Sequence, residues 1–562
     1  MRKPLVVIAG LAAALALPAA PAGADVTMSD FRVQPQAPAA GGHPNVTITQ
    51  ALSYDSASDD VKDSFVRLAP GLLGNPQSAA ACAASQFAAD ACPREAVVGS
   101  VVVNAKIALL PGLLPTVPAP PVNGVVYNLR PAGPEPARLG FVLEAAGGLS
   151  KIFLQAPVAL RPGPDGYGLE STFADQPRES GGLNVQIERI ALTLNGRASR
   201  GSFVRMPTAC GPATSVTRAN SYEAPSAASQ KSFAFTPTNC AALPFAASAE
   251  GSVGAPGLTG DREHPPVTTT LRFNPEHAAL KRAEVILPKT VAPSATALPR
   301  ACLRPQANAS ACPESSRVGT AIIDSPLQAR PVRGPVYLAL NTPSALPGLM
   351  VILPPPVGVR LDGVTELGTF GTKNVFPSNP DLPVRSFTLQ FDPGPDSLLQ
   401  LTRDLCDRKT DTTMEVTLVS HSGKRLELRE PLATPGCDPR ARVSIRRRGR
   451  KARLVARLSA AREGPSITSA SLVLPKSLRR GKLRPVVKSG RSRARPLVSR
   501  RRLTLPFPGA GVRSARVVWP GLKASRRLKR MARVRVVLKD GREKTTTLRV
   551  RARVRGKAPR RS

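Results

Sequence analysis

The chain is expected to be all-β: tandem β-sandwich domains (Ig-like or similar), with two homologous disulfide-containing repeat units and a basic C-terminal β-sandwich. Three observations predict this. Short strand-like runs alternate with Pro and Gly turns along most of the 562 residues. Eight Cys fall into two sets of four with the same order of spacings. Past Cys437 the composition turns sharply cationic while the strand-like alternation continues.

The 42% hydrophobic content excludes global disorder, and 59 Pro with 44 Gly are too many for a helical bundle and follow no collagen-like period. Runs of strand length that alternate or stay apolar include Val101-Val102-Val103, Val185 to Ile190, Phe387 to Phe391 and Glu415 to Val419. Turn chemistry separates them, as in Arg161-Pro162-Gly163-Pro164-Asp165-Gly166 and Asp392-Pro393-Gly394-Pro395. The best helical candidate, Asn274 to Leu280, is worth a single turn.

Residues 1–24 have the form of an export signal, with Arg2 and Lys3, an apolar stretch from Leu5 to Leu17, and Ala22-Gly23-Ala24 as the cleavage site. That stretch is shorter than the roughly 20 residues a membrane helix needs. Gly334 to Val359 is uncharged, but it contains Pro335, Pro343, Pro347 and Pro354-Pro355-Pro356. So many prolines would leave a membrane helix with unpaired backbone groups, and the segment is read as strand, turn, strand. No transmembrane span is expected in the mature chain.

Eight Cys in an exported chain suggest disulfides. Cys82 and Cys92 are ten apart, as are Cys302 and Cys312; Cys210 and Cys240 are thirty apart, and Cys406 and Cys437 thirty-one. The flanks repeat as well: Ala91-Cys92-Pro93 and Val98-Gly99-Ser100 return as Ala311-Cys312-Pro313 and Val318-Gly319-Thr320. Gly124-Val125-Val126-Tyr127 returns as Gly334-Pro335-Val336-Tyr337. The simplest pairing is local within each set, each bridge stabilising its loop by roughly 2–4 kcal/mol. Four Cys admit three connectivities, so the spacing leaves the others open. Zinc fits poorly, since no C-x2-C pair or nearby His accompanies the ten-residue spacing. What recurs is Cys, Gly, Pro, Tyr and apolar residues, whereas Arg94-Glu95 is matched by Glu314-Ser315. A duplicated framework without a duplicated polar constellation is what a scaffold would show.

Residues 440–562 hold 41 Lys and Arg against three acids, Glu463, Asp540 and Glu543, so they carry nearly all of the +40 net charge. Arg549, Arg551, Arg553 and Arg555 alternate strictly with Val550, Ala552 and Val554, which puts all four on one face of a strand. Arg533 and Arg535 alternate in the same way in the run before it, with a hairpin turn at Lys539-Asp540-Gly541-Arg542. These six Arg are the candidate polyanion-binding residues. The chain then divides into a signal over 1–24, a first repeat unit over 25–246, a second over 247–438, a basic Arg-rich domain over 439–556 and a disordered basic tail over 557–562.

The run Gly74-Asn75-Pro76, Cys82, Cys92-Pro93, Val98-Gly99-Ser100, Val126-Tyr127-Asn128-Leu129 and Pro136 to Phe141, with its second copy, resembles large secreted Cys-containing β-repeat proteins of high-GC actinobacteria. The resemblance covers roughly 40–437, and the basic end resembles modules appended to such proteins. It implies export and β architecture, and it carries over no activity and no catalytic residue.

Motifs for a nucleophile elbow, a Walker loop, H-E-x-x-H and an EF-hand are absent from the sequence. His421 is expected in a hairpin turn rather than in catalysis. Asp404, Asp407 and Asp411 near Cys406 form a weak calcium candidate, set against surface pairing with Arg403, Arg408 and Lys409. Nothing places Glu144 and Glu170 at a glycosidase separation. No cofactor or metal is expected. The expected partners are anionic cell-envelope polymers or lipid headgroups, ahead of nucleic acid, for which only Phe507 and Trp519 offer aromatic surface in the basic region. An Arg face of purely compositional origin is the competing reading. A secreted hydrolase acting on wall or polysaccharide, or a carbohydrate-binding module, are the alternatives to a non-enzymatic envelope protein.

Overall fold

The computed structural model describes residues 26–556 except 57–58, 109–115, 146–149, 181–182, 342–345, 370, 408, 462–463, 491–493 and 542. The export signal expected over 1–24 and the tail expected over 557–562 lie outside the described residues. The chain forms two compact units, one running to Pro207 and including Gly211–Thr238, the other made of Thr208–Cys210 and the chain from Asn239 onward. Both are β throughout, and the two α-helices among the described residues have five residues each.

In the first unit the main strands are β1 (Val26–Pro35), β2 (Val46–Tyr54), β3 (Val61–Arg67), β4 (Val97–Ala108), β5 (Val122–Leu129) and β6 (Ala137–Ala145). They are followed by β7 (Ser150–Gly163), β8 (Gly166–Phe173), β9 (Leu183–Leu194), β10 (Ala213–Ser221) and β11 (Ser229–Phe235). They lie in one sheet in the order β1-β2-β9-β4-β5-β6-β7-β8-β3-β10-β11. The sheet folds over so that its ends meet: the Met28 amide donates to Ser229 Oγ at 2.9 Å and Lys231 Nζ to the Ser29 carbonyl at 2.6 Å. Phe31, Ile48, Val101, Phe141 and Ala213 are buried in the core this creates. The turn expected at Arg161 to Gly166 is the β7–β8 hairpin, with Gly163 opposite Gly166.

The second repeat follows the same path. Its main strands are β12 (Ala247–Val253), β13 (Val267–Phe273), β14 (Leu280–Leu287), β15 (Arg317–Asp324), β16 (Val332–Ala339) and β17 (Gly348–Ile352). Then come β18 (Arg360–Asp362), β19 (Val364–Gly368), β20 (Gly371–Phe376), β21 (Ser386–Phe391), β22 (Thr413–Ser420) and β23 (Arg425–Pro431). One sheet runs β12-β13-β21-β15-β16-β17-β18 and the other β19-β20-β14-β22-β23. Placed end to end, these reproduce the first unit's order strand for strand. The one difference is that the fourteen-residue β7 is replaced by the short β18 and β19. The strand, turn, strand expected within Gly334 to Val359 is β16 and β17, antiparallel with Val336 opposite Val351; Pro335 lies within β16 and Pro354 to Pro356 follow β17.

The duplicated sequence signatures have duplicated causes. Gly99 and Gly319 each sit at a register shift at the start of the equivalent strand, β4 or β15. A Cβ there would lie 2.3 Å from the Thr193 carbonyl oxygen or 2.1 Å from that of Gln390, so only glycine fits. Four disulfides form with the local pairing, Cys82–Cys92, Cys210–Cys240, Cys302–Cys312 and Cys406–Cys437, with Cα separations of 5.3 to 6.1 Å. Each ten-residue loop encloses a short helix, α1 (Ala84–Ala88) or α2 (Arg304–Asn308), which the sequence reading did not anticipate. Asn274 to Leu280 makes a turn held by the Asn274 carboxamide and carbonyl.

The basic region forms a ten-stranded sheet around its own core. Its strands are β24 (Arg440–Arg448), β25 (Lys451–Ser459), β26 (Ile467–Val473), β27 (Leu478–Arg479) and β28 (Val486–Lys488). The rest are β29 (Leu497–Val498), β30 (Arg502–Pro506), β31 (Ser514–Ala524), β32 (Met531–Asp540) and β33 (Thr545–Arg555). The path is β27-β31-β25-β24-β33-β32-β26-β30-β29, with β28 also on β31. Leu454, Leu472, Leu503, Trp519, Val534 and Val536 are each fully buried, worth roughly 1.5–3 kcal/mol per aliphatic side chain.

Candidate polyanion-binding face

Strict alternation decides which side chains reach solvent here. In β33, Arg549, Arg551, Arg553 and Arg555 are exposed, while Ala552 is buried and Val550 and Val554 pack on the core. Arg533 and Arg535 of β32 are likewise exposed between buried Ala532, Val534 and Val536. The structure brings all six predicted Arg onto one hairpin. Its register sets Arg533 directly opposite Arg551 and Arg535 opposite Arg549. Like charges face each other across the strands, an arrangement that opposes folding and that an oppositely charged ligand would relieve.

The pattern extends beyond those six. Lys488, Arg516, Arg457 and Arg442 stand in one row across β28, β31, β25 and β24. With strands about 4.8 Å apart, such a row spans about 14 Å. A second row runs Arg453, Arg446, Arg555 and joins the β24–β25 side to the hairpin through the parallel β24–β33 contact. All of these side chains are exposed, and among the described residues none is in an ion pair. The region's two described acids are placed elsewhere: Asp540 is buried at the hairpin end, where its carboxylate accepts from the Lys544 amide, and Glu543 pairs with Lys539 at 3.5 Å. Arg447 points inward. It is buried with its guanidinium donating to the carbonyls of Gly449, Ser525 and Leu528. Phe507 and Trp519 are buried, so they offer no stacking surface.

The other candidates resolve into structural roles. His421 lies in the β22–β23 turn, and its Nε2 is 2.9 Å from the Asn379 carbonyl oxygen. Asp404, Asp407 and Asp411 do not converge: each accepts from a backbone amide two residues on, those of Cys406, Lys409 and Thr413. Each of the three therefore caps its own backbone turn; Arg408, one of the cations expected to pair with them, lies outside the described residues. Among the described residues no group of three His, Cys, Asp or Glu is arranged to hold a metal ion. Glu170 pairs with Arg67 at 2.9 Å, and Glu144 lies 3.8 Å from Lys151.

Two polar features were missed by the sequence reading. Gln86 and Gln306 occupy equivalent places in α1 and α2, and each side chain accepts from the backbone amide at its helix start, Ala83 or Leu303. A polar group does recur, then, and it is a helix cap. In the first unit Asp60 is buried and accepts from Arg178 Nε at 3.0 Å, while Arg178 Nη2 reaches Glu223 at 2.7 Å and its guanidinium lies over the Tyr222 ring. Burial raises the Asp60 pKa above the usual carboxylate range, opposed by the hydrogen bond and charge of Arg178. Burial, then the charges of Asp60 and Glu188, raise that of Tyr54. No motif spacing flags this cluster, whose members stand 118 and 45 positions apart.

No protein-family model matches the chain, and no curated protein matches it. Among solved structures it is similar to a membrane-anchored protein from Corynebacterium diphtheriae, at 8% identity over 83% of this chain and 98% of that one, with a TM-score of 0.18. It is also similar to the collagen adhesin of S. aureus, at 8% identity over 55% of this chain and 92% of that one, TM-score 0.17. A DUF4785 family protein from Legionella pneumophila matches at 9% identity over 93% of this chain and 99% of that one, TM-score 0.21. At TM-scores this low, these likenesses carry no more than a general resemblance, and the fold is defined by the chain's own strand order and core.

Proposed function

We propose that this is an exported, non-enzymatic β-repeat protein whose basic C-terminal face associates with anionic cell-envelope polymers or lipid headgroups. One observation carries the reading: exposed Arg and Lys stand in register across the strands of the basic sheet, with no carboxylate among them in the described residues. A surface of this kind concentrates anions and binds them through many weak, salt-sensitive contacts. Four disulfides suit an oxidising, extracytoplasmic compartment. Nucleic acid would present similar phosphate chemistry, but the burial of Phe507 and Trp519 removes the stacking that single strands use.

The test is a polyphosphate titration of the full chain beside the fourfold variant Arg549→Gln, Arg551→Gln, Arg553→Gln, Arg555→Gln. The reading predicts affinity that falls steeply with salt, and a shallower salt dependence in the variant, because fewer counterions are displaced. Equal affinity of the two proteins at low salt would remove the face from the account.

A further inference from the structure

Six large hydrophobic side chains among the described residues are more than half exposed, and four of them lie in the basic domain. Three of these, Leu483 (58%), Val486 (53%) and Leu497 (64%), fall in one stretch. The terminal strands β27 and β29 meet there, since the Arg480 amide donates to the Arg500 carbonyl at 2.9 Å and Arg480 Nη1 to the Val498 carbonyl at 3.3 Å. Val486 stands on β28 opposite Val518. Lys482, Arg484, Lys488 and Arg495 around them are exposed, and no carboxylate occurs anywhere from Gly464 to Lys539.

A soluble polyanion would satisfy the cations and leave the apolar side chains in water. Three apolar side chains are also a small basis for a stable protein interface, which buries on the order of 1,200–2,000 Å². A lipid interface accepts single apolar side chains below the headgroups while Lys and Arg stay at phosphate level. We infer that this seam is a membrane-interface anchor, with Leu483, Val486 and Leu497 entering the surface of an anionic phospholipid bilayer and the surrounding cations holding its headgroups. The inference rests on the polyanion association proposed above and narrows its ligand to lipid.

The test compares the full chain with its L483S/V486S/L497S variant on phosphatidylcholine vesicles with and without phosphatidylglycerol, with soluble polyphosphate as a probe that has no interior. The expected result is vesicle binding that needs phosphatidylglycerol and is weakened by about tenfold or more in the variant, with unchanged polyphosphate affinity. A second variant, Leu497→Trp, should shift its emission to the blue on vesicles and not on polyphosphate; the single native Trp519 is fully buried and supplies a constant background. Equal vesicle binding by wild type and triple variant would overturn the inference, as would absence of the blue shift. If the wild type binds polyphosphate but not vesicles, this inference alone fails. If it binds neither, the polyanion reading beneath it fails too.

Discussion

Asp60 shows how a single buried group sets a pH response. Its carboxyl is held by Arg178, yet burial outweighs that partner and raises its pKa. The folded state therefore keeps this proton more tightly than the unfolded chain. The group contributes its full stability below the ordinary carboxylate range and loses it as pH rises through the raised value. Thermal melts of Asp60→Asn should gain on the wild type as pH rises from acid to neutral. A difference that instead grows toward acid would mean that Arg178 dominates. Such a residue is illegible in sequence, because Asp60, Arg178 and Glu223 come from segments that only the sheet order brings together.

At the scale of elements, the two repeats solve one packing problem in opposite ways. Phe87 of α1 is buried against β6, where a Cβ on Gly140 would lie 2.6 Å from its ring. In the second repeat Ala307 of α2 holds the place of Phe87, and Met350 of β17, opposite Tyr337 as Gly140 is opposite Tyr127, holds that of Gly140. Large and small residues have changed sides. Phe87→Ala should cost about 3–5 kcal/mol by opening a cavity, and Gly140→Met should destabilise by clashing with the ring. The double variant should recover most of the loss in denaturant melts; additive losses would show that the exchange is not complementary.

The β32–β33 hairpin makes the other element-scale prediction. Arg551→Glu would place a carboxylate opposite Arg533, stabilising the pair by about 0.2–1 kcal/mol at low salt. The same change should weaken polyphosphate binding. Higher stability with weaker binding is the expected pair of outcomes, measured by melting and titration at low ionic strength. A loss of stability with unchanged binding would mean that the facing Arg rows are indifferent to charge.

At the scale of the whole molecule, the sequence shows what local chemistry determines. Strict alternation marks β33, the Gly99 and Gly319 bulges repeat because only glycine fits them, and the Cys spacing matches four bridges that close short loops. What sequence could not show is long-range. The eleven-strand path of the first unit depends on pairings such as β2 with β9 and β3 with β10, far apart in the chain. Helices α1 and α2 are too short to show a period. Gln86 and Gln306 are recognisable as a matched pair only once their helices are seen. The cationic face lies between these cases: each strand's Arg side was legible, but the rows across strands needed the register.

We propose that this face holds the protein to an anionic surface by charge. The most direct measurement is cosedimentation of the full chain with isolated cell envelopes across a salt series, beside the Arg549→Gln, Arg551→Gln, Arg553→Gln, Arg555→Gln variant. The wild type should pellet at low salt and be released as salt rises, while the variant stays largely in the supernatant. Pelleting of both proteins alike, or pelleting of the wild type that salt does not reverse, would contradict it.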